Sequence, residues 1–348
     1  MLGQVNQRVE PFAQSVQLSV LPEFVKMPST MRAKLYLARP LPKPVMDVIC
    51  GRFDLTVPPL DRPPAKEEIL AGIREARAVI CTLNERFDEA MLGAAPSLRV
   101  IANYAVGYNN IDVAAAKARG VVVTNTPDVL TNATADLTWA LILAVARRVV
   151  DGDQLVRQNR WTGWSPTQML GVDLAGKTLG IIGMGRIGQA VARRAVGFDM
   201  NVLYWTRSER PPQPDHPSWR RGSFEELLRR SDFLSLHVPL TQETTHLINA
   251  SALGLMKPTA FLINAARGPV VDEAALVKAL QEGRLAGAGF DVYEKEPELH
   301  PGLRELSQVV LLPHLGSATM ETRIKMGMMC VENVLAVLEG KPAPNRVA

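Results

Sequence analysis

The sequence predicts an α/β protein built from doubly wound parallel sheets in two domains, and three observations carry that expectation. Short apolar runs rich in Val, Ile, Leu and Phe, bounded by Gly or Pro, recur along the chain with helix-compatible segments between them. That is the pattern of buried parallel strands and their crossovers. The glycine run Gly183-Met-Gly185-Arg186-Ile187-Gly188 stands between one such strand and a helical segment. Finally, 348 residues are too many for one ordinary core.

Hydrophobic residues make up 47% and charged residues 21%, the proportions of an ordinary globular protein. The formal charge of +4 is mild and no block of Lys and Arg stands out, which argues against nucleic-acid binding. Cys50, Cys81 and Cys330 lie far apart, with no CxxC pair and no histidine at ligand spacing. This points to a reducing compartment and away from a structural zinc. The longest apolar stretch, Leu137 to Ala146, is half of a membrane span. With nothing resembling a secretion signal at the N-terminus, a cytoplasmic protein without membrane contact is expected.

Residues 1–30 carry no clear period and are read as a loose extension ahead of Met31. Strands are expected at Lys34–Ala38, Ala78–Thr82, Val100–Tyr104 and Val121–Thr124, with helical segments such as Lys66–Ala76 between them. Thr131–Arg148 is a helix apolar nearly all round, which implies burial on more than one side and, at a domain junction, burial between two subunits. A second strand series follows at Thr178–Gly183, Asn201–Trp205 and Asp232–His237. It continues in the runs Ala260–Arg267, Ala286–Tyr293 and Val309–His314. Glu225–Arg230 and Glu273–Gln281 are helical connections, and Thr319–Glu339 is a long closing helix. Leu315-Gly-Ser-Ala can begin a helix, and Pro211–Pro217 must be an irregular loop.

The glycine run follows Leu179–Ile182 and opens a segment with apolar residues at 187, 190, 191 and 195. In that setting each glycine has a distinct role. Gly183 permits a tight turn, Gly185 lets the backbone approach a pyrophosphate, and Gly188 lets the helix pack on its strand. The free N–H groups of the helix N-terminus, opening at Arg186 and Ile187, complete a dinucleotide site. A ligand-free βα turn is the competing reading. An acidic residue that would hold a ribose 2′-hydroxyl is missing after Asn201–Trp205; Thr206, Arg207 and Ser208 stand there, with Arg210 close behind. A guanidinium and two hydroxyls suit a 2′-phosphate, so NADP is favoured, with NAD possible if Arg207 is only a solvated loop residue.

A nicotinamide cofactor makes hydride transfer the leading chemistry. Three of the later strand runs deliver Arg267, Glu296 and His314 to the carboxyl edge of the sheet, where α/β proteins bind their ligands. A histidine can protonate the oxygen of a reduced carbonyl, a carboxylate can stabilise its imidazolium, and an arginine can grip an acid with two prongs. Each of the three could be structural taken alone; their joint placement makes coincidence a poor explanation. His216 and His300 sit in Pro-flanked loops, His246 lies in a polar turn, and His237 ends a strand without an evident acid.

The glycine loop resembles that of the D-isomer-specific 2-hydroxyacid dehydrogenases. So do Asn264–Glu273, Gly289–Pro297 and Pro313–Ala318, and the likeness runs over residues 31–341. It implies two Rossmann-like domains: a substrate domain of residues 31–127 plus 314–341, with a cofactor domain of residues 128–313 inserted. The active site would lie in the cleft between them. It also implies that Arg267 binds the substrate's carboxylate and carbonyl, that His314 is the proton donor paired with Glu296, and that Asp291 contacts the nicotinamide carboxamide. Within the family, Asn103–Asp112 and Trp161–Pro166 resemble the glyoxylate/hydroxypyruvate reductases. Val106 and Gly107 would then offer N–H groups to a small 2-oxo acid, Trp161 would reach the partner's site, and the helix at 131–148 would belong to a homodimer interface. Asn109 departs from the family's usual Asp and could weaken a helix cap. A 2-ketogluconate or D-lactate-type dehydrogenase is the nearest alternative; a dinucleotide-sensing corepressor of the same fold is the distant one.

Overall fold

The computed structural model describes residues 32–58, 62–207 and 218–347. The expected N-terminal extension, the Pro211–Pro217 loop, Ser208, Arg210 and His216 lie outside those residues. The chain divides into two compact units. Thr131–Gly316 form one, and the segments before and after them form the other.

The outer segments build a parallel sheet of β1 (Lys34–Leu37), β2 (Asp54–Thr56), β3 (Ala78–Cys81), β4 (Val100–Asn103) and β5 (Val122–Thr124), in the order β2-β1-β3-β4-β5. Helices cover both faces, which is why β3 and β4 read as unbroken apolar runs and are buried throughout. On one face Tyr36, Val79, Ile101 and Val123 meet Ile69, Ile73, Met91 and Leu92. On the other, the helix Met320–Leu338 lies over β4 and the helix Lys43–Arg52.

The inserted unit holds a second parallel sheet: β6 (Thr178–Ile182), β7 (Asn201–Trp205), β8 (Arg220–Arg221), β9 (Phe233–Leu236), β10 (Phe261–Asn264), β11 (Gly287–Phe290) and β12 (Val309–Leu311). Their order is β12-β11-β10-β9-β6-β7-β8, so the chain leaves β6 in one direction and later returns to its other side at β9. The switch point between β6 and β9 is where such sheets bind ligands. Alternate residues of one strand serve different cores. Ile181 joins Leu179, Ile263 and the helices Thr131–Ala146 and Arg186–Ala195, whereas Ile182 joins Leu236, Leu262 and Phe290 on the opposite face. Each such burial is worth roughly 1.5–3 kcal/mol.

Several details of the expected elements are corrected. The all-apolar helix ends at Ala146; Arg148 turns left-handed (φ 53°) and a new helix runs Val149–Arg157. Its apolar faces are covered by its own unit, by the helix Arg186–Ala195 and by β10, β11 and β12. Trp139 donates its indole N–H to Val191 O at 3.0 Å and stacks on Phe198. Half of the residues of Thr131–Ala146 are thereby buried within the chain itself. The chain returns to the first unit after Gly316. Leu315-Gly-Ser-Ala opens no helix; Thr319 caps the closing one through Thr322 N–H. Asn109 weakens no cap either, because Asp112 caps the helix Val113–Ala118.

Candidate active site

The glycine loop sits at the switch point. Gly183 has φ 98°, a conformation that a β-carbon strains, and a Cβ there would lie 2.5 Å from His237 O at the end of β9. Gly188 abuts the loop's own backbone, since a Cβ would meet Gly183 O at 2.1 Å. Beside Gly185, the N-cap of the helix Arg186–Ala195, the space is open. A tight turn, a helix seated close on it and an open approach to the helix N-terminus together fit a pyrophosphate. After β7, Thr206 is buried, while Arg207 is 77% exposed with Glu243 Oε2 3.9 Å away.

Arg267, Glu296 and His314 all lie just beyond the carboxyl ends of their strands, three residues after β10, six after β11 and three after β12. The fully buried Asn264 shapes the first of these turns by accepting from Ala266 N–H at 3.1 Å and donating to Arg267 O at 3.0 Å. Burial lowers the pKa of the Arg267 guanidinium, and the charge of Glu296 works against that shift; an arginine nonetheless stays protonated.

Glu296 joins the histidine directly. One oxygen accepts from Tyr293 N–H at 3.0 Å and the other lies 2.8 Å from His314 Nδ1. Burial pushes the Glu296 carboxyl up, but the hydrogen bond and charge of His314, the Tyr293 N–H and Arg267 outweigh it and hold the carboxyl below its ordinary value. With Nδ1 engaged by a carboxylate, Nε2 is the nitrogen left for a substrate.

His314 has φ 55°, a left-handed backbone that is costly for a non-glycine residue. Asp291 holds it there. Its carbonyl accepts from His314 N–H at 2.9 Å, and its two carboxylate oxygens accept from Leu315 N–H at 2.6 Å and Gly316 N–H at 2.8 Å. Burial raises the pKa of this carboxyl, offset in part by those N–H groups and by His314. Asp291 thus anchors the histidine's turn, a role the sequence did not reveal because it joins residues 23 or more positions apart.

The other described histidines are otherwise engaged. His237 is bonded through Nε2 to Ser235 Oγ at 2.8 Å, and burial depresses its pKa to about 3, so it is neutral at working pH. His246 pairs with Glu294 at 2.9 Å, and His300 accepts from Gly302 N–H as a helix cap.

In the other unit, Val106 and Gly107 lie in the loop after β4. Three carbonyls in succession are tied: Ala105 O to Thr126 N–H at 3.0 Å, Val106 O to Asn125 Nδ2 at 2.8 Å and Gly107 O to Asn103 Nδ2 at 2.8 Å. In a trans peptide the N–H points opposite to its carbonyl. The N–H groups of Val106, Gly107 and Tyr108 are therefore turned away from these ties, a run of donors suited to an anion. Trp161 lies in an extended segment and is 54% exposed.

A dinucleotide loop at a switch point, with a histidine–carboxylate pair and an arginine beyond the strand ends of the same sheet, fits a nicotinamide-dependent dehydrogenase. The model for the D-isomer-specific 2-hydroxyacid dehydrogenase NAD-binding domain matches residues 139–316. A glyoxylate reductase of Thermococcus kodakarensis is 48% identical over 321 residues, which cover 91% of this chain and 96% of that one. Among solved structures, the TT0316 protein of Thermus thermophilus has a TM-score of 0.85 at 47% identity, covering 90% of this chain and all (100%) of that one. An NADPH-dependent glyoxylate/hydroxypyruvate reductase of Sinorhizobium meliloti, solved with NADP and malonate, has a TM-score of 0.81 at 34% identity, covering 91% and 97%. The chain belongs to the D-isomer-specific 2-hydroxyacid dehydrogenase family.

Proposed function

We propose that the protein reduces glyoxylate to glycolate, and also hydroxypyruvate to D-glycerate, with NADPH as the preferred donor. The observation that carries this reading is the 2.8 Å bond between His314 Nδ1 and a Glu296 carboxylate held ionised, on the same sheet edge as Arg267. The similarity to glyoxylate reductases supports the substrate class.

When held at the glycine loop, a reduced nicotinamide would supply the hydride that C2 of the acid takes up. Arg267 grips the substrate's carboxylate and polarises its carbonyl. His314 gives the proton on Nε2 to the carbonyl oxygen, and Glu296 stabilises the imidazolium that holds that proton beforehand. The Val106 and Gly107 N–H groups, in the other unit, are a second set of donors suited to a carboxylate. Gly183, Gly185, Gly188 and the N–H groups opening the helix at Arg186 and Ile187 would hold the pyrophosphate, and the carboxylate of Asp291 would have lone pairs left for the carboxamide.

The preference for NADPH rests on Arg207, with Thr206 and Ser208 beside it. Its exposed pairing with Glu243 is worth little, so a 2′-phosphate can displace it. The three free cysteines support a reducing, cytoplasmic setting. A homodimer is proposed through the exposed apolar residues that follow Arg148, with Trp161 reaching the partner.

Steady-state assays with glyoxylate, hydroxypyruvate and pyruvate against NADPH and NADH test the proposal. Turnover of glyoxylate with NADPH is expected, with Arg207→Asp reversing the coenzyme preference. Preference for NADH in the wild type would remove the role given to Arg207, and inertness toward all three acids would remove the substrate class.

A further inference from the structure

The segment after Arg267 ends in Asp272-Glu273, and the hydride chemistry gives Glu273 no role. Asp272 caps the helix Glu273–Gln281 by accepting from Ala275 N–H at 3.0 Å. Glu273, the first residue of that helix, is nonetheless 4% exposed. A carboxylate is buried at a cost unless its oxygens are satisfied. Here one accepts from Glu294 N–H at 2.7 Å and the other from His300 N–H at 2.8 Å. Between those two anchored positions lies Glu296.

Two further joints bind the same segments. A Cβ on Gly268 would fall 1.8 Å from Tyr293 O, so the backbone following Arg267 abuts the backbone that leads to Glu296. His246 donates its main-chain N–H to Pro269 O at 2.8 Å, while its ring Nε2 meets Glu294 Oε1 at 2.9 Å. Glu294 returns the contact by accepting from Glu273 N–H at 3.4 Å. Residues 268–273 are thereby fastened to residues 293–300 at Gly268, at His246 and at Glu273. The titratable groups facing this joint are Glu294, His246, His300 and Tyr293.

We propose that Glu273 is a positioning residue for the proton-transfer pair. By carrying the N–H groups of Glu294 and His300 on its two oxygens, it fixes the loop that brings Glu296 to His314 Nδ1, and it touches neither substrate nor cofactor. The assignment rests on the reading that Glu296 tunes His314.

The test is a cycle of Glu273→Ala, Glu273→Gln, Glu296→Gln and the double variant Glu273→Ala/Glu296→Gln. Its readouts are the pH profile of kcat/KM for glyoxylate and the Kd for NADPH. Glu273→Ala is expected to lower kcat by about ten-fold or more and to move the high-pH limb to lower pH, in the same direction as Glu296→Gln. Its Kd for NADPH should stay at the wild-type value. Glu273→Gln keeps one acceptor oxygen and is expected to lie between. The double variant should be no worse than Glu296→Gln alone, because both act through one bond.

Independent, multiplying losses in the double variant would overturn the proposal, as would an unmoved pH limb in Glu273→Ala. If Glu273→Ala does not fold, an unmoved limb and unchanged kcat in Glu273→Gln would overturn it equally. Failure of the underlying reading is seen separately, as wild-type behaviour of Glu296→Gln.

Discussion

His314 is held in a left-handed turn by Asp291, and its ring is oriented by a Glu296 whose second oxygen is fixed on Tyr293 N–H. The depressed Glu296 pKa has a consequence for stability. A carboxyl ionised more readily in the folded chain stabilises it at pH above the unfolded value of about 4.3, and loses that contribution as pH falls through the folded value. Replacement by glutamine removes this dependence. The wild type should therefore melt above Glu296→Gln at neutral pH, and the gap should close as pH drops below the carboxylate range. A Tm difference that persists unchanged at acid pH would show that the pair is not an ion pair in the folded state. Arg267, Glu296 and His314 were legible in the sequence because each follows a strand-like run, and strand ends carry chemistry. Asp291, Asn264 and Glu273 were not legible as supports, since their partners are set by how loops fold back. An aspartate accepting from residues 315 and 316 looks in sequence like any other aspartate.

Among the elements, the glycine loop shows how local sequence and packing coincide. Gly188 leaves no room for a methyl group beside Gly183 O, so Gly188→Ala must displace either the turn or the helix that presents its N–H groups. A rise in Kd for NADPH of about ten-fold or more, roughly 1.4 kcal/mol, is expected by fluorescence titration. An unchanged Kd would mean that the loop does not hold the pyrophosphate. The buried strands were legible to within a few residues, because parallel strands covered on both faces must be apolar throughout. The edge strands β2 and β8 were not, being three and two residues long and reading Asp-Leu-Thr and Arg-Arg. An edge strand has only one neighbour, and its sequence need not declare it.

Over the whole molecule, the apolar surface lies elsewhere than the sequence suggested. The helix Thr131–Ala146 spends its apolar faces on its own unit, while Val149, Val156, Trp161, Trp164 and Leu170 stand between 54% and 82% exposed in the stretch that follows. These exposed apolar residues support the proposed homodimer. Val156→Glu combined with Leu170→Glu is expected to convert a dimer into a monomer by light scattering, whereas a wild type that is already monomeric would remove the interface. Periodicity could report that the earlier helix was apolar on all sides, but not which neighbour covers it.

The central claim is that His314 delivers the proton in glyoxylate reduction, and the most direct measurement is kcat/KM for His314→Gln with NADPH, taken beside the Kd for NADPH. A loss of roughly 10²–10⁴-fold with cofactor binding intact is the expected result. Turnover near that of the wild type would contradict that role for His314.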